Sequence, residues 1–260
     1  MPNKTLERFG IMIEQVDLKR YEFKYFIDED QYHQILDEIR PFIELDKYSR
    51  KAPEHRYSVH SLYLDSHDRT FYEEKLGGYQ YRKKIRIRCY NPQFYAAEKY
   101  FLEIKRRNQL QISKGRVPLS REAMLFLLEH NFLIYPDGLV NGNGKVQEVL
   151  EEIIYTCNLY SLLPTVYVLY EREAYQSTID DTVRVTFDRN VKSYNYYSPF
   201  DEDQISWTPT FNGKMIFEIK VNGLLPFWLH QIIKKHGLWQ EAISKYCGGL
   251  VSAQGLFQIG

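Results

Sequence analysis

The chain is short of several things, and each shortage excludes something. Its 260 residues hold three cysteines, Cys89, Cys157 and Cys247, odd in number and widely spaced. That pattern argues against a disulfide framework and for reduced, buried thiols in a cytoplasmic protein. No run approaches the roughly 18 apolar residues of a membrane-spanning helix. The opening residues, MPNKTLERFGIMIEQ, lack the apolar core of a signal peptide. Neither charge sign is in excess: Lys and Arg number 34, Asp and Glu number 34. No global basic surface advertises nucleic acid, so any anion site must come from local sorting of charge. The seven histidines show no zinc-ligand spacing, and His60 reads as a satisfied polar core residue. Gly144-Lys145 and Gly213-Lys214 lack the flanking Gly and Ser/Thr of a phosphate-binding P-loop.

What remains is an ordinary globular composition, 44% hydrophobic and 26% charged, long enough for a sizeable core. Eight segments rich in Val, Ile, Tyr and Phe alternate with period two and predict strands. They span 19–27, 56–65, 81–90, 100–107, 109–119, 164–175, 182–191 and 214–222. Helices intervene. Asp28 with Gln31 predicts a capping box ahead of the stripe Tyr32, Ile35, Leu36 and Ile39, with Pro41 near its end. Ser120 caps REAMLFLLEH, residues 145–158 form a third helix, and 226–237 runs from a Pro to a Gly as helices do. The stretch 135–144 is the loosest linker, yet strands of one character lie on both sides of it. The chain therefore reads as one α+β domain over residues 1–260.

In a strand, residues i and i+2 face the same way. Applied to each strand, the alternation puts Lys24, Arg86, Arg88, Lys105, Lys114, Arg116, Arg172, Arg184 and Lys220 on one set of faces. With these nine cations go only four acids: Glu22, Glu103, Asp188 and Glu218. Tyr170 shares the face of Arg172. A neutral chain has sorted a cationic surplus onto one side of its sheet, while the opposite faces are strongly apolar. Eight strands suffice to close a barrel. A cationic interior needs an anion to offset its repulsion, and phosphate oxygens suit both the Arg fork and the Lys point charge. A few carboxylates among the cations suit a divalent metal that bridges phosphates. Lys83 and Lys84 read as charges on the rim.

Nine short motifs in series carry a resemblance. They are RYEFKY, SLYLDS, RIRCY, LEIKRR, SKGRVPL, LYEREAY, VRVTFD, FEIK and ISKYCGG, spread over residues 20–249. In order and spacing this set resembles the VTC (vacuolar transporter chaperone) domain of the triphosphate tunnel metalloenzymes. The resemblance implies an eight-stranded antiparallel β-tunnel with helices packed outside and a C-terminal helix at one mouth. It implies binding of ATP and polyphosphate with a divalent metal, Mn²⁺ or Mg²⁺, and transfer of the terminal phosphoryl of ATP to a growing polyphosphate chain. Motif by motif, Lys24, Arg86, Arg88, Lys105, Arg172 and Arg184 become phosphate ligands. Glu218 becomes the metal ligand. Tyr170 lines the wall, and Ser244 and Lys245 sit on the C-terminal helix. Lys114, Arg116 and Lys220 join the substrate-binding set by their shared face. Glu22 departs from the pattern and is either a second metal ligand or a partner for Lys24. A triphosphatase and a non-catalytic polyphosphate-binding module are the alternatives.

Overall fold

The computed structural model of the chain describes residues 20–109, 111–135, 144–196 and 205–255. The opening segment and the body of the 135–144 linker lie outside the described residues. The strands are β1 (Arg20–Ile27), β2 (Ile43–Leu45), β3 (Tyr57–Asp65), β4 (Tyr81–Cys89), β5 (Lys99–Asn108), β6 (Gln111–Ser120), β7 (Leu163–Ser177), β8 (Arg184–Asn195), β9 (Thr208–Pro209) and β10 (Met215–Asn222). The helices are α1 (Glu29–Ile39), α2 (Thr70–Leu76), α3 (Arg121–Glu129), α4 (Gly144–Tyr160), α5 (Phe227–Lys235) and α6 (Lys245–Ala253). All eight expected strands are present. Two further strands, β2 and β9, are only three and two residues long, too short for alternation to reveal them.

The eight long strands form one antiparallel path, β1-β10-β8-β7-β3-β4-β5-β6. Backbone pairing does not continue from β6 to β1 among the described residues. The sheet curls until side chains span the gap: Lys105 of β5 reaches Glu22 of β1 at 3.0 Å. The result is a curled antiparallel tunnel.

Its outer faces are covered by helices. Ile85, Ile87, Leu102, Ile104 and Val117 lie in a cluster with Met124 and Leu127 of α3 and Leu150 and Ile153 of α4. On the other side, Ile27, Val185, Phe187, Phe217 and Ile219 meet Ile35 and Ile39 of α1 and Leu229 and Ile232 of α5. The capping box predicted at Asp28 is formed with Gln31, and Ser120 caps α3.

α6 is different, because it sits on the inner face. Tyr246, Cys247 and Leu250 pack against Val59, Val166, Val168, Val191 and Ile216, which project into the tunnel. The helix plugs one end of it. Gly249 permits the approach: a Cβ there would stand 2.8 Å from Val168 Cγ2, closer than packed carbons tolerate. A bulge in β8 separates the two parts of the interior. Asn190 adopts a left-handed φ of 51°, as Asn does more readily than most residues. The pairing with β7 shifts register there, so Asp188 and Val191 both point inward.

Candidate functional site

The unplugged part of the tunnel is a cavity lined by nine cationic side chains and three carboxylates. All but Lys84 and Lys245 come from the alternation argued above. Antiparallel partners share a face, so the register builds the site in rows. Lys24 stands opposite Glu218 and Glu22 opposite Lys220 across β1 and β10. Arg86 stands opposite Glu103, itself opposite Arg116; Lys84 stands opposite Lys105, itself opposite Lys114.

Glu103 is the hub of one wall. It is 2% exposed. Arg86 donates to its Oε2 through Nε at 2.9 Å and Nη2 at 2.7 Å, and Arg116 Nε donates to Oε1 at 2.7 Å. Lys114 Nζ lies 2.6 Å from Oε1. Burial alone would raise this carboxyl, but Arg86, Arg88 and Lys114 hold it well below the usual range. Glu103 is fully engaged in charge balance and in fixing the arginines.

The opposite wall is less satisfied. Lys24 Nζ stands 2.7 Å from Glu22 and 3.7 Å from Glu218. Lys220 Nζ lies 2.6 Å from Glu218 Oε1, yet that oxygen is buried and accepts no hydrogen bond of acceptable direction. Despite burial, Lys220, Lys24 and Arg172 keep Glu218 ionised far below the ordinary value. Glu22 is held at about 2, where burial and Glu218 oppose Lys24, Lys105 and Lys220.

A third group lies at the floor. Arg172 grips Asp188 with two bonds, 2.6 and 2.7 Å. Lys245, the first residue of α6, adds an ion pair to the same carboxylate at 2.6 Å and lies over the Tyr170 ring at 4.7 Å. Arg88 donates to the Tyr170 hydroxyl at 3.1 Å and to Ser61 at 3.2 Å. The N-terminus of α6, capped by Ser244, faces this floor, and a helix N-terminus favours negative charge.

The cavity brings together Glu22, Lys24, Arg86, Arg88, Lys105, Lys114, Tyr170, Arg172, Glu218, Lys220, Ser244 and Lys245. Arg116 and Arg184 are not part of its lining. Arg116 lies against the Phe101 ring and Tyr90 hydroxyl. Arg184 donates to Asp46 Oδ2 at 2.7 Å, so its charge is already matched outside the cavity.

The lining residues outside the expected set include Lys84 and Tyr63. Lys83 is the outward member of its pair, 3.7 Å from Glu152 of α4. Lys84, expected on the rim, points inward and donates to Ser244 Oγ at 2.7 Å. Burial pushes it down to about 8. The signal was available: Lys84 precedes Arg86 by two and shares its face. Tyr63 is the other. Its hydroxyl accepts from Arg86 at 3.1 Å. Burial opposes the shift, but Arg86, Arg88 and Lys84 together draw the phenol down to about 8. His60 is buried on the outer face of β3 as the core reading expected, its Nδ1 bonded to the Tyr167 hydroxyl, while its buried Nε2 meets no hydrogen-bond partner. All three cysteines are buried and free.

The family model of the VTC domain matches residues 19–254. No curated protein matches the sequence. Among solved structures, a candidate adenylate cyclase from Bacillus halodurans superposes with a TM-score of 0.50 at 12% identity, covering 87% of this chain and 94% of its own. A candidate adenylyl cyclase from Hippeastrum, described as having a dominant triphosphatase activity, does so with a TM-score of 0.50 at 15% identity, covering 92% and 97%. At these identities the likeness is one of fold. No helix among the described residues is long and apolar enough to cross a membrane.

Proposed function

The chain belongs to the VTC domain family, with the triphosphate tunnel fold, and on that premise we propose that it is an ATP-dependent polyphosphate polymerase. The observation that carries the reading is the cavity itself, in which nine cations surround three carboxylates beneath a helix N-terminus. So large a buried surplus of positive charge is stable only with a polyanion of matching density.

On this reading the triphosphate lies among Arg86, Arg88 and Arg172, with Lys24, Lys105 and Lys220 beside it and Lys245 at the floor. The site's task is positioning and charge stabilisation, as phosphoryl transfer generally requires. A terminal phosphate oxygen of the acceptor chain attacks the γ-phosphorus of ATP. The bond from that phosphorus to the β–γ bridging oxygen breaks, ADP leaves, and the chain is longer by one phosphate. The nucleophile is already ionised at neutral pH, so no general base is needed.

Glu218 and Glu22 are the residues that would hold a divalent cation. Both offer hard oxygens, and the buried Glu218 Oε1 lacks a hydrogen bond. Among the described residues no cluster of three or more acidic, His or Cys ligands exists. Water and phosphate oxygens would therefore complete the shell, as suits Mg²⁺ or Mn²⁺ on a nucleotide. Such an ion, when bound, withdraws charge from the transferring phosphoryl group.

Hydrolysis is the rival within the fold, as the activity of the Hippeastrum protein illustrates. A water nucleophile is helped by a carboxylate able to accept its proton near neutral pH. Glu22 is held at about 2, and Glu103 and Glu218 are also held well below the usual carboxylate range. None is a good base, which favours a phosphate nucleophile. Incubation with ATP and Mn²⁺, with products separated on a gel, tests the reading. A ladder supports polymerisation. Orthophosphate without a ladder means a triphosphatase, and unchanged ATP with tight binding means a non-catalytic module.

A further inference from the structure

β4 and β5 carry the cavity's cations outward past the tunnel. Three successive cross-strand pairs on the tunnel face are Arg86 with Glu103, Lys84 with Lys105, and Arg82 with Arg107. The deepest pair is opposite in charge and the next two are not. Like charges placed directly opposite destabilise a sheet. Lys105 is relieved by Glu22 and Lys84 by the Ser244 hydroxyl. Arg82 has only the Glu74 carboxylate near it, with no ion pair, and Arg107 has no acidic partner among the described residues. Arg82 Nη1 donates to the Tyr79 carbonyl at 3.2 Å and Arg107 Nε to the Gln109 carbonyl at 2.9 Å. These bonds hold both guanidinium groups in place while leaving most of their N–H donors open.

The space around them is continuous. A second cavity shares Lys84, Lys105, Glu22 and Ser244 with the first and extends to Lys75, Arg82 and Arg107. A third shares Arg82 and Arg107 and reaches the surface beside Tyr79. A largely cationic track, with Glu22 and Glu241 also on its wall, thus runs from the Lys84–Lys105 level of the tunnel to solvent between β4, β5 and the segment ahead of α6. Its like-charged pairs are two residues apart along the strands, roughly 7 Å.

We propose that this groove is a binding site for the part of a linear polyphosphate that extends beyond the tunnel, with Arg82, Arg107 and Lys75 as its outer ligands. The inference rests on the proposed function, in that the tunnel must itself hold phosphate. The argument for polyphosphate over a nucleic acid strand is continuity and shape. The track opens directly from the cation-lined cavity and shares Lys84 and Lys105 with it, so a chain of consecutive phosphates without intervening sugars can occupy both. The chain's zero net charge adds no wider basic surface to attract nucleic acid.

The test uses the full chain and equilibrium competition with inorganic tripolyphosphate, long-chain inorganic polyphosphate and single-stranded oligothymidylate. Wild type should bind long-chain polyphosphate about tenfold or more tighter than tripolyphosphate, the worth of two charge-assisted contacts. The Arg82→Ala/Arg107→Ala double variant should lose that preference and keep its tripolyphosphate affinity. Arg82→Lys/Arg107→Lys should restore most of the preference, which separates charge from any effect on folding. A double alanine variant that keeps the length preference, or loses tripolyphosphate equally, overturns the proposal. So does oligothymidylate competing as well as polyphosphate. Wild type that binds tripolyphosphate without length preference sinks the groove alone. Wild type that binds neither phosphate ligand sinks the proposed function as well.

Discussion

β5 and β10 carry the same tripeptide, Glu-Ile-Lys, with its glutamate inside the tunnel and its isoleucine in the outer core. The surroundings of the two carboxylates differ. Glu103 is met by Arg86, Arg116 and Lys114, with hydrogen bonds or ion pairs on both oxygens. Glu218 has Lys220 close but misaligned, Lys24 at 3.7 Å, and an oxygen with no hydrogen bond. The tripeptide sets only which way each side chain points. Neighbouring strands set what it does: β4 and β6 bring three cations to Glu103, whereas β1 and β8 bring Glu218 a lysine shared with Glu22 and a threonine. One glutamate has three cations around it; the other has two lysines and a threonine, which is why the proposed function gives it the ion.

Four perturbations would break or sharpen this contrast. The largest effect is expected from Glu218→Gln, nearly isosteric and neutral. A metal-bound oxygen lost from a phosphoryl-transfer site is worth several kcal/mol, so turnover should fall about a thousandfold. Metal-free tripolyphosphate binding should survive. Mn²⁺ titration of turnover at fixed ATP checks this, and a Glu218→Gln enzyme with an unchanged Mn²⁺ requirement would reverse the assignment.

Next in size is Glu103→Gln. It leaves three cations around a neutral amide in a buried site, which should cost about 2–3 kcal/mol of stability. Urea unfolding measures it. The Mn²⁺ dependence of the remaining activity should not move; if it does, Glu103 is the metal ligand.

Lys245→Ala comes third. Asp188 keeps its two bonds from Arg172, so the fold should hold. Chain synthesis should drop about tenfold, the worth of one charge-assisted contact to phosphate. ATP binding should drop less. Equal loss of both would place Lys245 with the triphosphate and not with the acceptor.

The smallest effect concerns protons. Lys84 lies near 8 in the fold against an ordinary 10.5. A lowered folded value means the native state releases the proton first. Stability should therefore rise as pH climbs from about 8 toward 10.5, with the full cost of the buried charge borne below 8. An anion in the cavity should favour the charged form, so tripolyphosphate binding near pH 8 should take up about half a proton. Calorimetry in buffers of different ionisation enthalpy reads that uptake, and Lys84→Met should reduce it by the share Lys84 carries. Uptake unchanged in the variant would assign the proton to another group, Lys114, which burial pushes down to about 7, or Tyr63.

Much of the architecture was legible before any coordinates. The eight long strands, the Asp28 capping box, the apolar stripe of α1 and the Ser120 cap of α3 followed from local rules of period and capping, which act within a few residues. The short strands β2 and β9 escaped because two or three residues cannot show a period. Lys84 was legible too, since it continues the alternation of Arg86 and Arg88.

By itself, then, the sequence determined which side chains share a face, and so sorted nine cations from the apolar outer core. That follows from the two-residue period of a strand, a property each segment carries alone. Only the tertiary structure decided what each charge meets. The pairing of β5 with β4 and β6 surrounded Glu103 with cations, and the order β1-β10-β8 set Glu218 between Lys24 and Thr186. The curl of the sheet brought Glu22 to Lys105 across its gap. The bulge at Asn190 and the glycines of α6 let a helix enter one end of the tunnel and aim its N-terminus at the cations. Those outcomes depend on contacts between segments far apart in the chain, and no local pattern encodes the partner of a strand.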